Sequence, residues 1–500
     1  MSPRASHPST APLPAPPGED VTAIPWPARV RARVAGRIER SPRYRWWVLW
    51  TVLAGLFSVN VTFTVFAVAL PRVAAELGTT ANTLTWVITG PMIAFGVAAP
   101  SLGRAGDIWG HKRLYLAGMV GAMVCAALSA VAWNAGSLIV FRTLGSLEGA
   151  ATGAASMALI FGVFDRDDRV KAMGFWSLVG AGGPVIGVAL GGIVIEQVGW
   201  RWVFVAQVPL GLAALVLAAV VLPETERTSR GAVDWAGIFT LGIGVTGLLF
   251  GLNRGTEWGW DSPAVIAAFA LSPLLLALFV AVERRAVEPL IPLEYFRRRN
   301  FAFPMASQTL TNFAYMGGFI LAPQLLADIY GYGESRIGFL VLARPLAFSL
   351  LAPVAGYAAV RVGERSSAVV GAVGVVGSMV MFANLTTGSS DLMIVAALVL
   401  SGVGLGIATP SIAATVGNSV DEGSFGVVSA TQQITTQIGI VAGIQLMKTV
   451  QASGGSGLAG FRTAYLLGGA VAALGVVCAA FVRSDSRTRP APNDALPPGG

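Results

Sequence analysis

Three ionisable side chains lie where an apolar chain should not hold them. Arg142 and Glu148 sit in FRTLGSLEGAATG, residues 141–153, and Arg344 sits in LVLARPLAFSL, residues 340–350. A charge inside an apolar helix is costly and faces a cavity or a partner. A carboxyl in such a place can carry a proton, because burial favours its neutral form and a nearby arginine favours its charged form. An arginine can pair with that carboxylate, bond a carbonyl or hold an anion. At 100° per residue Glu148 points about 120° away from Arg142 and lies about 9 Å further along the axis. Three readings of Glu148 stay open: a proton site, an ion pair with Arg142 or Arg344, or a helix-end or lipid-edge position. Arg344 precedes Pro345, which frees a carbonyl one turn earlier and loosens the helix at the charge.

The elements that position these groups are membrane helices. The chain is 54% hydrophobic and 12% charged, against about 25% charged in ordinary soluble domains. Runs of about 20 apolar residues, enough for one crossing, recur along its length. Fourteen helices are expected, near 46–70, 84–104, 113–133, 137–163, 170–196, 201–222, 233–253, 262–282, 301–328, 335–360, 366–386, 391–415, 424–449 and 462–482. Placing both termini inside puts 26 of the 34 Lys and Arg on the cytoplasmic side. The other eight are Arg72, Arg201, Arg254, Arg336 and Arg462 outside, Lys448 near an outer helix end, and Arg142 and Arg344 within spans. The net charge of +8 is therefore a topology signal and not a nucleic-acid footprint. Cys125 and Cys478 fall in apolar segments and read as small core residues without a disulfide.

Organisation follows from a repeat. GRAGDIWGHKR begins at Gly103 and GYAAVRVGERS at Gly356, each with a second glycine seven residues on, at Gly110 and Gly363. The second copy has Val360 where the first has Asp107. Each copy follows the second helix of a set of six, as in transporters built from duplicated halves around a midplane site. The expected divisions are a disordered basic tail at 1–44, an N-terminal six-helix bundle at 45–222 and a central pair of extra helices at 223–283. A cytoplasmic linker at 284–300, a C-terminal six-helix bundle at 301–482 and a second disordered tail at 483–500 complete the chain.

Four stretches resemble the major facilitator superfamily, and within it the fourteen-spanner drug/proton antiporter group, over roughly residues 46–482. GRAGDIWGHKR is similar to the signature loop after helix two. The resemblance implies a conformational latch at Gly103, Asp107, Gly110, Lys112 and Arg113, with Ile108 where a basic residue is usual. GFWSLVGAGGPVIGVALGG resembles the antiporter motif of helix five through Gly174, Gly183, Gly187, Gly191 and Gly192. Val188 replaces the usual proline, and Pro184 lies one turn earlier. Its glycines strip one face so that another helix can pack on the backbone. GWRWVFVAQVPLG, residues 199–211, is similar to the entry into helix six, with Trp200 and Trp202 suited to an outer interface. Arg142 matches the buried arginine of helix four, which the resemblance associates with proton coupling. Gly145, Ser146, Gly149 and Gly153 share its face. Relatives often place an aspartate nine residues before the proline of helix one; here that position is Thr62, ahead of Pro71.

The fold implied is an all-α major facilitator bundle, two pseudo-symmetric six-helix halves plus a central pair. Its function would be secondary transport across a bacterial plasma membrane, exporting small drug-like amphiphiles in exchange for protons. Glu148 and Arg142 would couple protons. Thr62, Arg344, Asn312, Tyr315, Gln324, Gln433 and Gln437 are candidates for the substrate cavity. Two buried arginines against one buried glutamate favour neutral, amphiphilic or anionic cargo. A second reading keeps the fold as a proton-independent uniporter or a lipid or metabolite exporter, and a third is a membrane sensor or scaffold. The two histidines, His7 and His111, supply no metal cluster, and the glycine-rich runs lack the lysine and threonine of a phosphate loop. No enzyme activity, cofactor or nucleic-acid partner is expected; the partners are the small-molecule cargo, protons and the lipid bilayer, and no oligomer is required.

Overall fold

The computed structural model describes residues 40–483 apart from 85, 225–233, 287, 288, 290, 455 and 456. The tails expected at 1–44 and 483–500 lie outside these, save 40–44 and 483. Among the described residues fourteen long helices are present: α1 Tyr44–Glu76, α2 Trp86–Trp109, α3 His111–Ala130, α4 Ala135–Val163, α5 Arg166–Gln197, α6 Arg201–Val221 and α7 Trp235–Trp258, then α8 Pro263–Glu283, α9 Arg299–Asp328, α10 Ala343–Val362, α11 Glu364–Ala383, α12 Asp391–Asn418, α13 Phe425–Ser453 and α14 Leu458–Ala480. Short helices Ala81–Leu84 and Glu334–Val341 precede α2 and α10.

Among the described residues, nine helices are long and apolar enough to cross a membrane, Glu334–Val341 and α10 counting together as one stretch. The chain is a multi-pass membrane protein. Its lipid-facing surface is written in stripes such as Val120, Val124 and Leu128, exposed at every fourth residue of α3. Helices α9 and α13 are more polar because their polar faces meet each other. Gln432 Nε2 donates to Gln308 Oε1 at 2.7 Å, and Thr309 Oγ1 donates to the Thr435 carbonyl at 3.0 Å. Two glycines make that approach possible: a Cβ on Gly439 or Gly443 would stand 2.3 or 2.0 Å from a carbonyl oxygen of α9.

Helices α1–α6 pack among themselves, as do α9–α14, and the two sets meet through α2 with α13, α4 with α13, and α5 with α10 and α12. The central helices α7 and α8 form a pair, and α7 leans on both α2 and α13. The segment expected as a signature loop is almost entirely helical. Residues 103–109 finish α2, α3 starts at His111, and only Gly110 turns between them, at φ +99° and ψ 132°. Gly363 turns between α10 and α11 at φ +97° and ψ 146°. The two copies of the repeat thus share one backbone conformation, in a region open to glycine and strained for other residues.

The helix containing Arg344 is interrupted at one residue, Leu342, whose backbone keeps helical dihedrals of φ −59° and ψ −25°. Glu334–Val341 ends one residue before α10 begins, with Leu342 between them. This is the discontinuity expected from Pro345, which has no N–H to offer the carbonyl of Val341.

Candidate functional site

At one end of the molecule the two helix sets are closed by a built contact. Asp107, 2% exposed, receives the backbone N–H groups of Gly426 and Val427 at 2.9 and 3.1 Å. These are the first turn of α13, where unpaired N–H groups and the helix dipole favour a negative charge. His111 Nε2 lies 3.1 Å from the same carboxylate. Gly103 and Gly426 interlock: a Cβ on either would come within 2.4 Å of the other's carbonyl oxygen. The equivalent place in the second repeat closes the other crossing. A Cβ on Gly356 would stand 2.7 Å from the Val170 carbonyl of α5, and one on Gly174 would stand 2.7 Å from the Ala352 carbonyl of α10. Further along, Gly182 faces Ser349. Val360 takes the position of Asp107 and packs with Val170, Ala359 and Ala414.

The other residues of GRAGDIWGHKR serve this end differently. Lys112 is buried and pairs with Glu224 at 3.3 Å, while Arg113 is exposed. The linker is tied here too. Tyr295 donates to Ser424 Oγ at 3.0 Å, and Arg298 Nη1 donates to the Ser419 carbonyl at 2.9 Å. Burial pushes the Tyr295 hydroxyl above its usual range, so it stays a donor at neutral pH.

The structure sends Arg142 and Glu148 to different neighbours. The Arg142 guanidinium lies 5.6 Å from the centre of the Phe204 ring on α6. The Glu148 carboxyl lies on α3, where a Cβ added to Gly121 would come within 2.3 Å of its Cδ. No ion pair of Glu148 with Arg142 or Arg344 occurs among the described residues. The glycines that follow Arg142 meet different helices: Gly145 faces Cys125 of α3, Gly149 faces Val59 of α1 and Gly153 faces Gln433 of α13. Gln433 therefore crosses between the two helix sets, an amide oxygen 2.8 Å from where a Gly153 Cβ would be.

Arg344 and Tyr315 are brought together. Arg344 is fully buried, its Nη2 donates to the Tyr315 carbonyl, and its guanidinium stacks 3.9 Å from the centre of the Tyr315 ring. Asn312 spends its amide on the Gln308 carbonyl of its own helix. Gln324 and Gln437 are half-buried. In the helix-packing motif Gly183 and Gly187 are buried, whereas the side chains at Thr62, Pro184, Val188, Gly191 and Gly192 lie outside the described residues.

Of the two tryptophans suited to an interface, one is buried. Trp202 is exposed, but Trp200 is 1% exposed and its Nε1 donates to Glu76 Oε2 at 2.9 Å, pinning α6 to the end of α1. Arg254, counted outside on sequence, is 2% exposed and lies 4.0 Å over the Trp86 ring. Near it, α2, α4 and α7 wall an apolar cavity of about 420 Å³, lined by Trp86, Gly90, Thr143, Leu147 and Thr246. The cavity lies toward the end of α2 opposite Asp107 and next to Arg142 in sequence. The α7 wall was not foreseen, because hydropathy marks a helix as a span and is silent on what it faces.

A family model described as Major Facilitator Superfamily matches residues 52–444 and, separately, 305–499. The chain is 26% identical over 400 residues to the multidrug transporter protein MdtP of Bacillus subtilis (strain 168), covering 80% of this chain and 74% of that protein. It is 28% identical over 416 residues to the puromycin resistance protein pur8 of Streptomyces alboniger, covering 82% of each. The crystal structure of the human organic anion transporter MFSD10 (TETRAN) superposes with a TM-score of 0.64 at 15% identity, over 88% of this chain and 100% of that one. At that identity the likeness is one of fold.

Proposed function

Because the chain belongs to the major facilitator superfamily, a family of transporters, we propose that it exports small amphipathic, drug-like compounds across a bacterial plasma membrane in exchange for protons. Fourteen helices cross the membrane with both termini in the cytoplasm. Residues 45–222 and 301–482 act as two halves that rock about a central site, and the pair within 223–283 is accessory. The carrying observation is the contact of Asp107 with the first turn of α13, set beside the glycine crossings of α2 with α13 and α5 with α10. A few hydrogen bonds and flat backbone contacts hold the cytoplasmic end shut, and such contacts can open without unfolding either half. Relatives that confer drug resistance support the choice of cargo.

In this reading Arg142 and Glu148 couple protons to cargo, and Arg344, Tyr315 and Gln433 belong to the path that cargo takes. The protein is reconstituted in liposomes holding a pH dye, and amphiphiles of differing charge are offered under an imposed pH gradient. Cargo-dependent proton flux that disappears in Glu148→Gln is expected. A second reading, transport without proton exchange, draws support from Thr62 in the usual acid position and from the Glu148 carboxyl lying on α3. Cargo movement with no proton flux, unchanged in Glu148→Gln, would select it.

A further inference from the structure

Arg344 carries a charge that its own half of the molecule does not answer. Six acids occur between residues 301 and 482: Asp328, Glu334, Glu364, Asp391, Asp421 and Glu422. Every one stands at the end of a helix or between helices, and Arg344 is fully buried. Its Nη2 bonds the Tyr315 carbonyl, while Nε and Nη1 are buried with no hydrogen-bond partner among the described residues. The carboxyl of Glu148, the acid deep in the other set of helices, lies against Gly121. Burying an ion without a counter-charge is strongly unfavourable, and carriers place such groups where substrate is met.

The helix loosens just before the charge: Leu342 separates Glu334–Val341 from α10 while keeping helical dihedrals, φ −59° and ψ −25°. The guanidinium also lies 3.9 Å from the centre of the Tyr315 ring and 5.8 Å from that of Phe319, so an apolar surface adjoins the charge. Below it, α10 runs into its glycine crossings with α5.

We propose that Arg344 is the anchor for an organic anion, its unbonded Nη1–H donating to a carboxylate-like group while Tyr315 and Phe319 meet the cargo's apolar part. This rests on the reading of the chain as an exporter and narrows its cargo to amphiphiles that bear a negative charge.

The test uses the full-length protein and three probes on one scaffold: 2-naphthoate, 2-naphthamide and 2-naphthylmethylamine. Binding is followed by titration, and export of each probe is followed in proteoliposomes. Wild type is expected to bind the carboxylate at least tenfold more tightly than the amide or the amine. Arg344→Gln should remove that preference, so that the carboxylate binds no more tightly than the amide. If Arg344→Gln does not fold, Arg344→Lys serves: a point charge in place of a planar fork should weaken carboxylate binding several-fold. Equal binding of the three probes by wild type, no binding of the carboxylate, or a preference intact in either variant overturns the proposal. Export of the amine or amide with no carboxylate preference overturns the anion anchor while the exporter reading stands. Carboxylate binding lost in Arg344→Gln without export of any probe keeps the anchor and overturns the exporter.

Discussion

At the scale of single residues, the position of Glu148 decides how proton coupling can work. Its carboxyl is packed over Gly121, and Cys125 stands one turn further along α3, opposite Gly145. A proton site here would be read through the contact of α3 with α4 and not through Arg142, which has turned to Phe204. The placement makes a sharp prediction. Gly121→Ala puts a methyl within 2.3 Å of Cδ, and overpacking of that kind costs about 1–3 kcal/mol. Glu148→Ala empties the space, so the double variant should recover most of the loss. A thermal-unfolding double-mutant cycle reads this directly, because contacting residues couple and distant ones add. Simple additivity would mean that Glu148 does not pack on Gly121.

At the scale of elements, glycines do two different jobs, which the sequence reveals unequally. Gly110 and Gly363 are needed for backbone shape, at φ near +100° in both repeats. Gly110→Ala or Gly363→Ala should each cost about 1–3 kcal/mol of strain, measured as a lowered midpoint of unfolding. Gly103, Gly174 and Gly356 are needed for closeness. Gly356→Leu should leave α10 helical yet stop its seating on α5, lowering transport far more than it lowers stability. The spacing of GRAGDIWGHKR and GYAAVRVGERS made the repeat legible, since a seven-residue interval between glycines survives divergence. Helix positions were legible as well, because a lipid-facing surface must be apolar all along its length. Partnership was not. Nothing in the order of residues says that Glu148 faces Gly121, that Gly149 and Gly153 face different helices, or that Arg254 folds inward over Trp86. Such contacts depend on the rotation of each helix about its axis, and an all-round apolar helix carries almost no signal for that.

At the scale of the whole molecule, the asymmetry between Asp107 and Val360 gives the closed end one strong bond and one weak one. A hydrogen bond to a charged group contributes about 1.5–3 kcal/mol net, and Asp107 receives two at the start of α13. A free-energy change of that size shifts the ratio of closed to open forms by about 10- to 100-fold, since about 1.4 kcal/mol is tenfold. Among the described residues the crossing of α10 with α5 has no buried acid of this kind; there Lys171 lies 5.8 Å from the Tyr357 ring centre, and Arg169 ties α5 to α12 by donating to Asn418 Oδ1 at 2.9 Å. Asp107→Ala should therefore free the closed end, with Asp107→Asn falling between it and wild type. A cysteine at Ala430, which is fully buried and lies 2.6 Å from where a Gly103 Cβ would be, reports the change once Cys125 and Cys478 are replaced by serine. Its alkylation by a water-soluble maleimide should quicken about tenfold or more in Asp107→Ala. An unchanged rate would mean that interlocked glycines hold the end shut on their own, and the acid in the first repeat would then be ornamental to closure. The expected result makes it the element that sets how long the carrier waits before it opens.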